Sequence, residues 1–86
     1  TLSMAVTAAK QALERAKLQP DDIDMIIFGC LVADYIFPGT GCLLQRELGC
    51  KKNIPALDIR NQCSGFVYAV NVADALIRSG SYKRVL

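Results

Sequence analysis

The segment from Cys63 to about Ser79 constrains this chain more than any other. It reads as a long helix that is apolar almost all round, with Phe66, Val67, Ala69, Val70, Val72, Ala73, Ala75, Leu76 and Ile77 broken only by a few polar residues such as Asn71, Asp74 and Arg78. A helix without a broad polar face lies inside a protein rather than on it. The chain has 86 residues, enough for one small domain or one piece of a larger one. Covering such a helix needs surfaces from elsewhere, so the sequence reads as an interior segment of a longer protein. The ends agree with that expectation: Thr1-Leu2-Ser3 opens straight into a helical pattern, and Tyr82 to Leu86 stops where a strand is starting. A trimmed small domain is the alternative, and natural mini-domains usually carry staples.

The other elements follow from periodicity. Ala5, Ala8, Ala9, Ala12, Leu13 and Ala16 recur at helical spacing over residues 4–17, with Ser3 as the expected N-cap and a turn at Pro20-Asp21-Asp22. Met25-Ile26-Ile27-Phe28 is β-favouring without alternation, which suits a strand buried on both faces of a parallel sheet. Residues 29–39 form a loop rich in apolar side chains (Tyr35, Ile36, Phe37, Pro38) that something must cover. Thr40 is expected to cap a short helix carrying Leu43, Leu44 and Leu48, closed by Gly49. Residues 54–59 form a second strand with Pro55 near its start, and Lys83 to Leu86 begin a third after Gly80. The alternation of helices and strands is α/β, with right-handed crossovers placing helices on both faces of a mainly parallel sheet.

Composition removes several function classes. The net charge is +2, from 10 basic and 8 acidic residues that are interspersed. No basic stripe with aromatic interleaving offers itself to nucleic acid. No apolar run is long enough to cross a bilayer and no signal peptide is recognisable, which points to the cytoplasm. The four cysteines, Cys30, Cys42, Cys50 and Cys63, are scattered without a C-x-x-C pair, so neither metal nor redox-motif spacing is present. The chain holds no histidine. A Ser-His-Asp triad or a Cys-His pair therefore cannot be completed within it.

Cys63 is the residue whose position asks for a chemical explanation. It follows a buried strand and a short polar connection, Arg60-Asn61-Gln62, and opens the apolar helix. Unpaired N–H groups and the dipole at a helix start stabilise a thiolate and can donate to an oxyanion. Ser64 and Gly65 are small and leave room for a substrate. Position alone leaves two readings open: a nucleophile, or a small buried hydrophobe of the usual kind. Cys30, Cys42 and Cys50 are read as structural, the first two as packing residues and Cys50 as partly exposed.

The segment Asp58-Ile59-Arg60-Asn61-Gln62-Cys63-Ser64-Gly65-Phe66-Val67-Tyr68-Ala69-Val70 resembles the nucleophile region of β-ketoacyl-[acyl carrier protein] synthase III, a condensing enzyme of the thiolase superfamily. Asp21 to Ile27, the loop Asp34-Tyr35-Ile36-Phe37-Pro38-Gly39-Thr40-Gly41-Cys42, and Ala73 to Gly80 are similar to further stretches of that family. The resemblance implies that residues 1–86 are an incomplete segment of the N-terminal half of a thiolase fold, with a mainly parallel sheet and a buried central helix. It also implies that Cys63 attacks an acyl-CoA primer and carries the acyl group as a thioester. Malonyl-[acyl carrier protein] then decarboxylates, and its carbanion attacks that thioester to begin fatty-acid synthesis. The backbone N–H of Cys63 is the implied oxyanion donor. The family's catalytic His and Asn lie outside this segment, so the 86-residue chain alone is expected to be inactive.

The resemblance further implies a homodimer in which Phe37 reaches into the partner's acyl pocket, with packing inside its own subunit as the alternative. Acyl-CoA and acyl carrier protein are the implied substrates, without a bound cofactor. Two departures bear on the primer: Asn61-Gln62 stands where the family usually has two small residues, and Cys30-Leu31-Val32 replaces a stretch that is often Thr-rich. Two enzyme alternatives stay open, a thiolase-fold acyltransferase of specialised metabolism and a 3-hydroxy-3-methylglutaryl-CoA-synthase-like enzyme. A non-catalytic α/β interaction segment is the alternative of another class.

Overall fold

The computed structural model describes residues 2–30, 37–50 and 54–86. The first element is helix α1 (Leu2–Ala16), which turns Ala9 and Leu13 into the core and leaves its charged side chains outward. Ser3 lies inside the helix rather than capping it, because the helical turn already includes Leu2. The helix ends in a Schellman arrangement. The N–H of Leu18 donates to the Leu13 carbonyl at 2.9 Å and that of Lys17 to Glu14 at 3.1 Å, with Lys17 at φ 58°. A single 3-10 turn, Pro20–Asp22, then leads into strand β1 (Ile26–Gly29).

Helix α2 (Thr40–Glu47) returns the chain to strand β2 (Ala56–Ile59), which pairs parallel to β1 with Ile26 opposite Ala56 and Gly29 opposite Ile59. The expected third strand has only begun: Met25 and Val85 form one parallel bridge, supported by hydrogen bonds from Leu86 N–H to the Met25 carbonyl and from Ile27 N–H to the Leu86 carbonyl. Residues alternate between the two faces of a strand. Ile26 and Phe28 accordingly pack with Ala9, Leu13, Ile23, Leu44 and Leu48, while Ile27 and Gly29 line a cleft against the last helix. Helices thus cover both faces of a parallel sheet, as the element order predicts. Ile26, 1% exposed, is at the centre, and its burial contributes roughly 1.5–3 kcal/mol.

Helix α3 (Gly65–Arg78) follows a 3-10 turn at Gln62–Ser64. The sequence reading puts this helix inside. Among the described residues only its Gly65 is buried, and Phe66, Val67, Tyr68, Val70 and Ile77 are exposed. One face meets β1 and the remaining apolar surface faces outward, because α1 and α2 lie on the opposite side of the sheet. An apolar cleft of about 220 Å³ separates α3 from the sheet, lined in part by Ile27, Gly29, Phe66, Val70 and Leu86.

Candidate active site

The two strands are parallel, so their carboxyl ends lie side by side, and the Cys30 N–H donates to the Ile59 carbonyl at 3.1 Å just beyond them. Loops at that edge of an open α/β sheet are where ligands usually bind. Cys63 is exposed there, in the 3-10 turn between β2 and α3. It stands one residue before the N-cap Ser64, slightly outside the first helical turn where the sequence reading puts it. The turn is drawn closed on Asn61, whose carbonyl oxygen accepts from the Ser64 N–H at 3.1 Å and from the Ser64 hydroxyl at 3.2 Å. With its hydroxyl turned back in this way, Ser64 makes no side-chain cap to α3.

The start of α3 is held against the sheet by glycine contact. A Cβ on Gly29 would stand 3.1 Å from the Gly65 carbonyl oxygen and 3.2 Å from its carbonyl carbon, closer than packed side chains normally allow. The backbones at the end of β1 and the start of α3 therefore touch, which fixes the height of the Cys63 turn over the strand ends.

Phe37 is 88% exposed and precedes Pro38 and the start of α2. Tyr35, Ile36 and Asp34 of the same motif, and Leu31 and Val32 of one departure from the family pattern, lie outside the described residues. Cys63 and Phe37 belong to different segments, and the link between these segments is a residue that sequence reasoning passes over. Asp58, in β2, accepts the Thr40 N–H on Oδ2 at 2.7 Å and the Gly41 N–H on Oδ1 at 2.8 Å. This carboxylate caps α2 from the neighbouring strand. Thr40 itself is the first helical residue, with Gly39 at the N-cap position, and its buried hydroxyl has no hydrogen-bond partner among the described residues. The expectation that Thr40 caps the helix is corrected accordingly. A Gly-Thr-Gly sequence at a helix start is the signal that could have disclosed an incoming acceptor, since such a backbone lets another group come close.

The remaining cysteines differ in part from their expected roles. Cys42 is exposed rather than packed, because it falls two residues before the buried Leu44 and so on the other side of α2. Cys30 is half-buried. Cys50 is half-buried too, its thiol donates to the Pro20 carbonyl at 3.7 Å, and it is pushed above the ordinary thiol range, mainly by burial and then by the Asp21 carboxylate. Among the described residues no group of three or more His, Cys, Asp or Glu side chains gathers to hold a metal, and no helix is long and apolar enough to cross a membrane.

Comparison with known proteins agrees with the motif. A family model described as 3-oxoacyl-[acyl-carrier-protein (ACP)] synthase III matches residues 57–86. The whole chain aligns at 51% identity with a β-ketoacyl-[acyl-carrier-protein] synthase III of Coxiella burnetii, of which it covers 27%. Among solved structures, the 3-oxoacyl-[acyl-carrier-protein] synthase III of Aquifex aeolicus superposes with a TM-score of 0.86 at 45% identity, over 90% of this chain and 25% of that one. A tetronic acid condensing enzyme superposes with a TM-score of 0.81 at 30% identity, over 85% of this chain and 22% of that one. The chain thus spans about a quarter of the length of the relatives it matches. Its α/β architecture is that of the thiolase fold. In the motif around Cys63, in its fold and in these likenesses together, the chain is similar over its whole length to a segment of the β-ketoacyl-[acyl-carrier-protein] synthase III family.

Proposed function

We propose that residues 1–86 form part of the N-terminal half of a cytoplasmic, homodimeric condensing enzyme, and that Cys63 is its acyl-carrying nucleophile. The observation that carries this reading is the exposure of Cys63 on the turn between β2 and α3, within the family's Cys-Ser-Gly-Phe-Val-Tyr context. In the first step the thiolate adds to the carbonyl carbon of an acyl-CoA, and collapse of the tetrahedral intermediate expels CoA as its thiolate. The acyl group is then held on sulfur as a thioester. Malonyl-[acyl carrier protein] loses carbon dioxide, and the carbanion so formed attacks the Cys63 thioester. The new carbon–carbon bond gives β-ketoacyl-[acyl carrier protein] and returns the Cys63 thiolate. Splitting the reaction through a covalent intermediate replaces one difficult step by two easier ones.

The backbone N–H of Cys63, at the start of the turn into α3, is suited to donate to the oxyanion of both tetrahedral intermediates. The chain contains no histidine, so any imidazole needed for decarboxylation comes from outside these residues. Phe37, exposed ahead of α2, is proposed to contribute to the acyl pocket of a partner subunit. The chemistry draws on the two thioester substrates and needs no resident cofactor.

The test is condensation of acyl-CoA with malonyl-[acyl carrier protein] by the full-length protein. Cys63→Ser should lower turnover by about a thousandfold or more. Unchanged turnover in Cys63→Ser would refute the assignment. A second reading, transfer of the same acyl thioester to an acceptor of specialised metabolism, is favoured by the likeness to a tetronic acid condensing enzyme. Acylation of Cys63 without any β-ketoacyl product would favour it.

A further inference from the structure

We infer that Asp58 is a positioning residue that sets which acyl chains reach Cys63, an inference resting on the proposed roles of Cys63 and Phe37. Asp58 sits in β2, five residues before Cys63, and the Thr40 that it holds comes three residues after Phe37. Its two carboxylate oxygens engage two successive backbone N–H groups at 2.7 and 2.8 Å. A two-pronged contact fixes orientation as well as distance, and a charged acceptor makes each bond stronger than a neutral one. The start of α2 is thereby locked to β2 in one register.

The cradle is built for this carboxylate. A Cβ on Gly41 would stand 2.9 Å from Asp58 Oδ1, and one on Gly39 would stand 3.1 Å from both its Cγ and Oδ1. Side chains at either position would push the carboxylate away. Thr40, between them, is 1% exposed and its hydroxyl has no partner among the described residues, so the backbone contacts rather than that hydroxyl hold the helix start in place. Only Pro38 and Gly39 separate Thr40 from Phe37, and a short polar connection separates β2 from Cys63. Both candidate site residues therefore hang from one contact. A shift at Asp58 displaces Cys63 in its own subunit and Phe37 where it would enter the partner subunit's acyl pocket, without touching a reacting atom, and displacements of about 1 Å alter rates by up to about a hundredfold. The consequence falls on selectivity among acyl chains rather than on the capacity of the thiol to be acylated.

The experiment measures acylation of Cys63 in the full-length protein by acetyl-, hexanoyl- and dodecanoyl-CoA, for the wild type, Asp58→Asn and Gly41→Ala. Asp58→Asn replaces one acceptor oxygen by an N–H group, and Gly41→Ala forces the same contact from the helix side with Asp58 intact. In both variants the ratio of short-chain to long-chain rates should move by about tenfold, with acylation by the best donor retained. An unchanged ratio overturns the inference, as does a uniform slowing with all donors accompanied by a lower melting temperature. If Asp58→Asn does not fold, Gly41→Ala decides alone. A wild type that no acyl-CoA modifies at Cys63 refutes instead the reading on which the inference rests.

Discussion

Gly29 and Gly65 meet backbone to backbone: the Gly65 carbonyl oxygen lies 3.1 Å from where a Cβ on Gly29 would be. The end of β1 thus supports the start of α3, two residues after Cys63. Backbone atoms cannot rotate out of the way as a long side chain can. Gly29→Ala should therefore lower stability by about 1–3 kcal/mol, the usual range for overpacking, and Gly29→Val by more. Chemical denaturation of the full-length protein checks this, and a midpoint unchanged in Gly29→Ala would show that the contact is slack.

The left-handed residue that closes α1 is Lys17, at φ 58°, whereas Gly49 and Gly80 fill the corresponding positions after α2 and α3. A residue with a Cβ pays roughly 1 kcal/mol or more for that conformation. Lys17→Gly should accordingly raise stability by up to about 1 kcal/mol, less the larger chain entropy that glycine brings to the unfolded state. Thermal unfolding measures it, and a lower melting temperature would contradict the strain assigned to Lys17.

Cys50 offers a pH-dependent test. Burial first, and the Asp21 carboxylate second, push its thiol above the ordinary range, against a smaller opposing effect of a backbone hydrogen bond. The folded state therefore holds the thiol proton more tightly than the unfolded chain. Its contribution to stability is complete below the ordinary thiol value, about 8.5, and is lost as pH rises through the folded value. The stability difference between wild type and Cys50→Ala should be flat at neutral pH and shrink in alkali. A difference that grows with pH would reverse the sign of the account. Asp21→Asn should weaken the effect without abolishing it.

Exposure alone does not separate Cys63 from Cys42, because both are exposed while Cys30 and Cys50 are half-buried. A brief pulse of iodoacetamide should label the first pair ahead of the second. Prior incubation with an acyl-CoA should then protect Cys63 and leave Cys42 reactive, as peptide mapping would show. Equal protection of both would mean that acyl-CoA masks the surface without acylating Cys63.

The parts of this structure fixed by local patterning were legible in the residues. The unbroken apolar run at Met25–Phe28 became strand β1, though Ile27 and Phe28 are only half-buried rather than covered on both faces, the alanine spacing became α1, and Gly49 closed α2 at φ +74°. What escaped depends on distant partners. Thr40 has a good capping side chain, yet the N–H groups at the start of α2 are taken by Asp58, 18 residues away, and no local rule shows an acceptor arriving from a neighbouring strand. The nearly all-round apolar character of α3 correctly signalled a helix that these residues cannot cover. Its face toward the sheet is defined by Gly29 and Gly65, whose contact has no periodicity to reveal it. At the candidate site, the motif around Cys63 was readable and its exposure was not. A cysteine at a helix start is compatible with packing until the turn at Gln62–Ser64 places it outside.

The central claim is that Cys63 carries the acyl group. The most direct measurement is peptide mass spectrometry of the full-length protein after brief exposure to a panel of acyl-CoAs. The account predicts an acyl adduct on the peptide containing Cys63, absent from Cys63→Ser, with the preferred chain identifying the primer. A folded protein that takes up no acyl group from any donor, or takes it up equally well in Cys63→Ser, would contradict it.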